Sequence, residues 1–511
     1  MSPPTLLTDS RIRAAYAEGA GIYRIVPAAV AIPADVPQLA ALARWAAESR
    51  TPLIPRGAGS GMPGGNVGAG VIVDLSRGFT DLTVDPQGRI ARAGASVTWG
   101  QVTQAARAYG LRLPPDPSSG AFATSGGMVA TNAAGPRSVR YGSVRKWIEA
   151  LEIVSADGAA RTMRRGGGTR YAVPDTRHLR TFPKTRKNSS GYALNHFAES
   201  GDELDLLIGS EGTLGFITAV DWRLDPIPPD LAGVALGFTD LAAVAEAVPF
   251  LVSLNPSAVE LLDRTLLRLI PDAPDVACLL LVEFERETSA AARGVVGDAV
   301  RGLKHEVAYV ETAVDRAGLE KLWAVRRLAS PALARLPHSQ RSLQVIEDGC
   351  VPLERLAEYI AGVRSAAEHH RVPVAIFGHA GDGHVHVNAL PDTTRPTWRK
   401  AIEGLFAEVT DLLVQLGGVP SGEHGAGRLR AGLLQRFYGP DVMALFNDVK
   451  RACDPLSILN PGVIIPAADW APLAALKVGE DAAVIPDDIA ARLRELERAA
   501  GWATPKLELA R

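Results

Sequence analysis

Apolar positions recur along the chain at the spacings of strands and helices. Between residues 28 and 61, two short apolar runs flank a segment whose periodic apolar positions are Val36, Leu39, Leu42, Ala43 and Ala46. Apolar residues three and four positions apart share one face of a helix, and Asp35 is a favourable residue to cap its first turn. The segment therefore predicts a strand, a helix and a second strand.

The same two patterns continue to the end of the chain. Apolar runs predict strands at VIVDLS (71–76) and WIEALEIVSADG (147–158), and from about 236 to 415 strands such as CLLLVEF and VPVAIFGH alternate with amphipathic helices. A proline cluster without periodicity, around 222–235, predicts a domain boundary. After 465 an Ala/Pro-rich linker precedes a terminal helix, DDIAARLRELERAA. The order of elements predicts α+β domains with an inserted second domain.

Charge and cysteine content exclude several classes of protein. Lys+Arg number 54 and Asp+Glu 56, which gives a net charge of −2 and no basic excess for nucleic acid or an anionic membrane. The three cysteines form no CxxC pair, which argues against an iron–sulfur cluster or a disulfide framework. We see neither a signal peptide nor an apolar stretch long enough to span a bilayer, so we expect a soluble cytoplasmic protein.

A glycine-rich loop at 54–70, IPRGAGSGMPGGNVGAG, contains a GxGxxG pattern at Gly59, Gly61 and Gly64. In a dinucleotide-binding βαβ unit this pattern opens a helix, whereas here Pro63 lies inside it and the chain continues into the next strand. Consecutive glycines can instead wrap their amide groups around a phosphate. Taken alone, the loop could also be a flexible hairpin.

Three further segments are also rich in small residues. They are PPDPSSGAFATSGGMVATNAAGPRSVRYGSV (114–144), LIGSEGTLGFIT (207–218) and LNPG (459–462). Four such segments spread over the chain suggest one extended polar cofactor that lies close to the backbone. A dinucleotide fits that shape.

The stretch GHAGDGHVHVN (378–388) concentrates polar chemistry on a predicted strand. Side chains two residues apart share a strand face, so His384, His386 and Asn388 should point the same way, and a Gly-Asp-Gly turn can return His379 to that face. Some forty residues later, SGEHGAGRLR supplies Glu423 and His424. Two histidines and one carboxylate with an open position make a catalytic metal site. His369 and His370, at the end of an amphipathic helix, we interpret as ordinary polar residues.

Together these segments resemble the vanillyl-alcohol oxidase / p-cresol methylhydroxylase superfamily. The similarity covers residues 25 to 465 and is greatest to the branch of the glycolate oxidase flavoprotein subunit, D-lactate dehydrogenases and D-2-hydroxyglutarate dehydrogenase. It implies an FAD-binding domain of two α/β subdomains at 1–228 and an α+β cap domain with an antiparallel sheet at 229–420. A segment at 421–465 would return to the FAD domain, followed by a linker and terminal helix at 466–511.

The resemblance also implies which residues contact FAD. The loop at 55–61 would hold the pyrophosphate, segments at 125–135 and 140–142 would line the flavin, 209–217 would contact the adenosine side, and Asn460 would return to the isoalloxazine. The residues expected to contact FAD are Pro55, Arg56, Gly57, Ala58, Gly59, Ser60, Gly61, Pro115, Ser125, Gly126, Gly127, Asn132, Ala134, Gly135, Tyr141, Gly142, Glu211, Gly212, Gly215, Ile217 and Asn460.

By the same resemblance, His379, His386 and Glu423 would ligate a divalent metal (zinc, manganese or iron) and His424 would act as the base. Arg326 would bind the substrate carboxylate with help from Ser330, although the neighbouring Arg327 is not fully separated from this role. The implied activity is the oxidation of a D-2-hydroxy acid of the lactate or glycolate type by metal-assisted hydride transfer to flavin N5.

We expect the electrons to pass to a separate acceptor other than NAD, which could be a redox protein, a cytochrome or a quinone, and we expect a homodimer. Two alternative functions stay open, an electron-transfer subunit of a glycolate oxidase-like complex and a flavoenzyme of the aryl-alcohol oxidase type.

Three positions depart from the family pattern or are open in role. Ile346 stands where the hydroxyglutarate enzymes carry a lysine for a second carboxylate, which argues against a dicarboxylate bound in that way. His384 stands where relatives often have asparagine, so it is either a spare ligand or a substrate contact. The terminal helix is either a docking element for an electron acceptor or a helix packed on its own domain.

We predict that FAD is bound non-covalently, because RGAGSGMPGG contains neither the histidine nor a cysteine that could bond to a flavin. Acid precipitation should release the yellow cofactor into the supernatant. Colour that stays with the pellet would contradict this prediction.

Overall fold

A computed structural model describes residues 5–172, 175–337 and 339–511 of the chain. The strands in chain order are β1 (Ala29–Ala31), β2 (Leu53–Arg56), β3 (Val71–Asp74), β4 (Leu82–Asp85), β5 (Ile90–Gly94), β6 (Leu111–Arg112), β7 (Ile148–Val154), β8 (Ala160–Arg164), β9 (Phe216–Arg223), β10 (Asp225–Pro226), β11 (Asp230–Phe238), β12 (Ala258–Asp263), β13 (Cys278–Arg286), β14 (Tyr309–Ala313), β15 (Val374–Gly378) and β16 (His386–Ala389).

Helices cover these strands and connect them. In chain order they are α1 (Ser10–Ala15), α2 (Val36–Ser49), α3 (Trp99–Arg107), α4 (Ser125–Thr131), α5 (Ser138–Tyr141), α6 (Leu194–Ser200), α7 (Leu204–Leu207), α8 (Val244–Ser253), α9 (Arg264–Leu267), α10 (Ser289–Arg301), α11 (Arg316–Arg327), α12 (Ala329–Ala334), α13 (Leu356–His370), α14 (Trp398–Gln415), α15 (Gly427–Arg430), α16 (Leu434–Cys453), α17 (Asp487–Arg498) and α18 (Lys506–Leu509).

The N-terminal half contains a parallel sheet, a five-stranded antiparallel sheet and a small two-stranded antiparallel sheet of β6 and β10. The parallel sheet has the order β1-β3-β2, and the antiparallel sheet the order β4-β5-β9-β7-β8. The predicted strand–helix–strand at 28–61 is confirmed as β1, α2 and β2, and the Asp35 side chain accepts a hydrogen bond of 2.9 Å from the Gln38 amide. As predicted, the glycine-rich loop after β2 enters no helix and leads to β3.

A six-stranded antiparallel sheet forms the second half, in the order β14-β11-β13-β12-β15-β16. Apart from the edge strand β14, its strands are buried along almost their whole length. Helices α8 and α10 pack on one face of the sheet, and α9 and α11 pack on the other. The histidine-rich segment occupies the β15–β16 end of this sheet. The proposed limits of the four domain segments stay a prediction, since one continuous apolar core runs across residue 228.

The terminal segment packs on its own chain. Helix α17 contacts α1 and α12, and its residues Ile489, Leu493 and Leu496 join an apolar cluster with Ile54 and Ile72 of the parallel sheet. These contacts favour the second interpretation of the terminal helix, which is packing on its own domain. Among the described residues, no helix combines the length and apolarity needed to cross a bilayer.

We predict that Leu493→Ala lowers the free energy of unfolding by about 2–5 kcal/mol, because a buried leucine leaves a cavity when it is truncated. Leu493 is 3% exposed, whereas Val484 of the same segment is 95% exposed, so Val484→Ala is a matched control expected to change stability by less than about 0.5 kcal/mol. Denaturant unfolding of both variants tests the packing. Equal stability of the two variants would contradict it.

Candidate active site

A cavity of about 750 Å³ lies between the loops of the N-terminal half and the β15–β16 end of the six-stranded sheet. The glycine-rich loop after β2 forms one wall, and α11 and α12 with the histidine-rich segment form the opposite wall. Residues of the terminal segment, including Arg494 and Trp502, close a third side. All four small-residue segments and the histidines therefore meet around or directly behind one space.

Most of the residues expected to contact FAD line this cavity. They are Pro55, Arg56, Gly57, Ala58, Gly59, Ser60, Gly61, Gly126, Gly127, Ala134, Glu211, Gly212, Gly215 and Ile217. The structure does not place the others in the cavity wall. These are Pro115, Ser125, Asn132, Gly135, Tyr141, Gly142 and Asn460.

The glycine-rich loop presents backbone donors to the cavity. The amides of residues 57–61 donate to no acceptor among the described residues, while the buried Arg56 guanidinium supports the loop by donating to the Glu18 carbonyl at 2.7 Å. A Cβ on Gly59, whose φ is +79°, would lie 2.5 Å from Arg56 Nη2, and a Cβ on Gly212 would lie 2.2 Å from Pro55 Cγ. Only glycine permits this close cradle, which suits a diphosphate.

Two of the residues expected to contact FAD, Tyr141 and Asn460, form hydrogen bonds with other parts of the protein. The Tyr141 hydroxyl bonds to Glu285 and to Arg112, which links α5 to the six-stranded sheet. Asn460 Nδ2 donates to the carbonyls of Gly65 at 2.8 Å and Glu211 at 2.9 Å, so it ties two cavity loops together. Neither side chain lies in the cavity wall, and their contact with FAD stays a prediction made from the sequence.

The predicted metal ligands converge on one carboxylate oxygen. Glu423 Oε1 lies 3.0 Å from His379 Nε2, 3.4 Å from His386 Nε2 and 3.6 Å from His424 Nε2. His379 follows β15 and His386 begins β16, and the turn between them contains Gly383 with φ +71°. Imidazole nitrogens and a carboxylate at these separations are a donor set that fits a divalent cation, with His386, Glu423 and His424 at the cavity wall.

The other oxygen of Glu423 is held by a buried lysine. Lys187 Nζ lies 2.9 Å from Glu423 Oε2, and both side chains are less than a tenth exposed. Burial opposes ionisation of Glu423, but Lys187 and His379 outweigh it and hold the carboxyl pKa well below its usual range. The carboxylate is therefore charged and fixed, with Oε1 directed toward the imidazoles.

Glu260 of β12 connects the metal-type cluster to the predicted carboxylate-binding arginine. Its Oε1 lies 2.6 Å from His379 Nδ1, and its Oε2 accepts from Arg326 Nε at 2.7 Å. Burial works against its ionisation, but His379 and Arg326 lower the pKa of Glu260 to about 2. Arg326 is thus anchored at the cavity wall next to Ser330. Arg327 also reaches the cavity wall, but it is exposed and donates to the Glu320 carbonyl.

Two further carboxylates, those of Glu347 and Asp348, contact His424. Glu347 Oε2 lies 2.8 Å from His424 Nδ1, and Asp348 accepts from the His424 amide at 2.9 Å. Although burial disfavours the imidazolium, Glu347 and Asp348 raise the pKa of His424 to about 10. Nδ1 is occupied by Glu347, so Nε2 is the nitrogen left for chemistry.

His384 and Ile346 lie behind the cavity wall. His384 is fully buried, with Nε2 2.8 Å from Asp348 Oδ1, and burial lowers its pKa to about 3. It thus orients Asp348, and its ring also lies in a group with Asp348, His386 and Glu423 whose ligand atoms are all within 4.8 Å of one another, so the spare-ligand role stays a prediction. Ile346 is buried in the apolar core.

Sequence reasoning missed the residues that hold the cluster in place. Lys187, Glu260, Glu347 and Asp348 contact its members directly. Two signals were present: Glu260 is a single acid within the apolar run AVELL, and Glu347–Asp348 is an acidic pair that follows an apolar run. A charge in an apolar run predicts a buried ion pair, although not its partner.

We predict that Lys187→Met destabilises the protein by about 3–5 kcal/mol in excess chelator, because it leaves the buried Glu423 carboxylate without its cation. The double variant Lys187→Met/Glu423→Gln should recover much of that loss. Urea unfolding of the single and double variants measures the coupling. A double variant as unstable as the sum of the two singles would contradict the ion pair.

Known proteins resemble this chain in sequence and in fold. Residues 27–164 match the family "FAD binding domain", and residues 227–464 match "FAD linked oxidases, C-terminal domain". A D-lactate dehydrogenase of Archaeoglobus fulgidus is 32% identical, over 85% of this chain and 90% of that protein. Glycolate oxidase subunit GlcD of Escherichia coli is 30% identical, over 90% and 88%. A D-2-hydroxyglutarate dehydrogenase of the same organism is 30% identical over 87% of this chain, which spans 49% of that protein.

The structural likeness concerns the fold. The 4-ethylphenol oxidase of Gulosibacter chungangensis superposes with a TM-score of 0.66 at 16% identity, over 90% of this chain and 94% of that chain. It confirms the predicted fold of a p-cresol methylhydroxylase-type FAD-binding domain with an antiparallel cap sheet. The chain therefore belongs to the FAD-linked oxidases, and it is an FAD-dependent oxidoreductase of the branch that contains D-lactate dehydrogenases, glycolate oxidase subunits and D-2-hydroxyglutarate dehydrogenases.

Proposed function

We propose that this protein oxidises a D-2-hydroxy acid of the lactate or glycolate type to the 2-oxo acid, with non-covalent FAD and a divalent cation. The observation that carries the proposal is the convergence of three imidazole nitrogens on Glu423 Oε1, in the wall of the cavity that the FAD loop also lines. His379, His386 and Glu423 would hold the cation, which could be zinc, manganese or iron. The names of the relatives support the class of substrate.

Bound FAD and a bound divalent cation would supply chemistry that protein side chains cannot. FAD, when bound, accepts the two electrons and the hydrogen that leave the substrate Cα. A divalent cation lowers the pKa of a coordinated water from 15.7 to about 7, which corresponds to roughly 12 kcal/mol, whereas a positioned general base contributes about 10²–10⁴-fold in rate, or roughly 3–5 kcal/mol. Loss of a metal ligand should therefore harm the reaction at least as much as loss of the base.

The chain's own residues orient the substrate. Arg326 would bind its carboxylate, because a guanidinium offers paired donors that match two carboxylate oxygens, and Ser330 one turn later would add a hydroxyl. Glu260 holds the Arg326 guanidinium through Nε, which leaves the terminal nitrogens for the substrate. The same Glu260 fixes His379, so substrate carboxylate and hydroxyl would be located by one buried side chain.

His424 would accept the hydroxyl proton at Nε2. Glu347 at Nδ1 orients the ring and stabilises the imidazolium that results. In the structure the carboxylates favour the protonated ring, and a cation bound beside Glu423 would favour the neutral ring instead. The same cation would thus prepare His424 to act as a base.

The electrons would leave to a separate acceptor, such as a redox protein, a cytochrome or a quinone. Support comes from the relatives that are named as subunits of glycolate oxidase. The oligomeric state stays the prediction made from the sequence, a homodimer.

The test of this function is an anaerobic titration of the holoenzyme with D- and L-2-hydroxy acids while flavin absorbance is followed. D-lactate or D-glycerate, or the achiral glycolate, should bleach the flavin. Bleaching by L-acids alone would overturn the stereochemical assignment. No bleaching by any acid, together with no stoichiometric metal, would favour the electron-transfer subunit.

We predict different effects for two neighbouring substitutions. Glu423→Ala should release the metal and abolish flavin reduction, whereas His424→Ala should retain metal and slow reduction by about 10²–10⁴-fold. Metal analysis and stopped-flow reduction separate the two roles. If either variant reduced its flavin at the wild-type rate, the role assigned to that residue would be wrong.

A further inference from the structure

A second group of potential metal ligands lies at the surface of the helix pair α13 and α14. His369 and His370 are the last two residues of α13, and Glu408 lies in the middle of α14. The ligand atoms of the three side chains are all within 4.8 Å of one another. These residues lie outside the cavity wall, so the group is separate from the cluster around Glu423.

Both imidazoles are directed at the same carboxylate oxygen. Glu408 Oε2 lies 2.8 Å from His369 Nδ1 and 2.9 Å from His370 Nε2. Adjacent residues of a helix do not share a face, so the convergence of these two rings does not follow from helix geometry alone. The sequence pattern cannot reveal it, because Glu408 lies 38 residues beyond His370.

Helix α14 has a recess that fits the His370 ring. A Cβ on Gly404 would lie 2.3 Å from His370 Cε1 and 2.5 Å from His370 Nδ1, so a larger residue would displace the imidazole. Gly404 and Glu408 are four residues apart and share one face of α14. Glycine is unfavourable inside a helix, and here it makes room for an imidazole beside a carboxylate.

Solvent reaches the group, and the local field favours a cation. The exposed fraction of the side chain is 70% for His369, 41% for Glu408 and 20% for His370. The two histidines end a helix of 15 residues, which stops at Arg371 with φ +55°. The carbonyl groups at such a C-terminal end carry a partial negative charge that stabilises a cation.

Small movements would give these atoms the spacing of metal ligands. Zinc binds imidazole nitrogen and carboxylate oxygen at about 2.0–2.2 Å, which places tetrahedral ligand atoms roughly 3.3–3.5 Å apart. The two contacts of Glu408 Oε2 would therefore lengthen by about half an ångström. The exposed side chains of His369 and Glu408 can make this movement, and water would fill the remaining position.

We propose that His369, His370 and Glu408 form a second metal site, for a divalent transition-metal ion of the zinc type. Imidazole ligands favour zinc, copper or nickel over magnesium or calcium. The ion would join α13 to α14. Helix α13 leads through β15 to His379, and α14 leads to the loop that carries Glu423. The ion would thus stabilise the helix pair from which both parts of the histidine cluster extend.

The zinc content of holoenzyme without a histidine tag tests this site. Wild type, Glu408→Gln and His370→Gln are dialysed against micromolar Zn²⁺ with excess Mg²⁺, and bound zinc per chain is measured. His305→Gln is the matched control, because His305 is a surface histidine that pairs with a single carboxylate, Glu246, at 3.3 Å. Removal of a residue that only orients a metal ligand weakens binding by about 10–100-fold, so loss of a ligand itself should weaken it by at least about 100-fold.

The expected result is one zinc fewer per chain in Glu408→Gln and in His370→Gln than in wild type and His305→Gln. Zinc should also raise the melting temperature of wild type more than that of Glu408→Gln, because the ion binds the folded chain. Equal zinc content in wild type, Glu408→Gln and His370→Gln would overturn the proposal and leave an ordinary surface ion pair. The same loss in His305→Gln would also overturn it, because zinc would then bind surface histidines in general.

Failure of the proposed function is recognised separately. The predicted active-site ligands are unchanged in all four proteins, so the difference in zinc content counts only the ion at the surface. If wild-type protein oxidises no hydroxy acid, the proposed function is wrong, and the zinc difference still decides whether the second site exists.

Discussion

The structure depends on the fixation of one buried carboxylate, that of Glu423. Lys187 holds one of its oxygens and three imidazoles surround the other, and these residues come from three distant parts of the sequence. A buried charge is tolerated only where its partners are in place, so each partner must itself be positioned. Glu260 positions His379, and Glu347 positions His424. Asp348 accepts a hydrogen bond from the Ser421 hydroxyl and so fixes the loop that carries Glu423. Each charged side chain of the cluster would lose free energy of stabilisation if it moved away from its partners. The cluster is therefore held rigid.

Ion pairs of buried carboxylates also join the two halves of the chain. Arg137 in the FAD-side wall contacts Glu283 of β13 at 2.7 Å, and Arg112 contacts Glu285 of the same strand at 2.9 Å. These ion pairs hold the six-stranded sheet against the loops that would carry FAD. A flavin on one wall and a substrate on the other would then meet at a distance set by protein contacts, which is what hydride transfer requires.

Sequence patterns predicted the elements well where the signal was local. The spacing of Val36, Leu39 and Leu42 identified α2, and the alternation around His384 and His386 identified the strand that brings His386 to Glu423. The convergence of Glu423 with the histidines was also predicted, mainly because both segments match motifs of the family that the sequence resembles. What the sequence could not supply were partners distant along the chain. Nothing in KNSSGY indicates that Lys187 reaches Glu423, and nothing in LNPG indicates that Asn460 binds loop carbonyls. Such contacts depend on the packing of the whole fold.

Removal of the cation from otherwise intact holoenzyme tests the central claim most directly. The protein is treated with a chelator, its FAD content is measured, and D-lactate is added anaerobically before and after a divalent metal is restored. The account predicts that the chelated protein keeps its FAD but is no longer bleached, and that added metal restores bleaching. Undiminished bleaching of protein that contains no metal would contradict it.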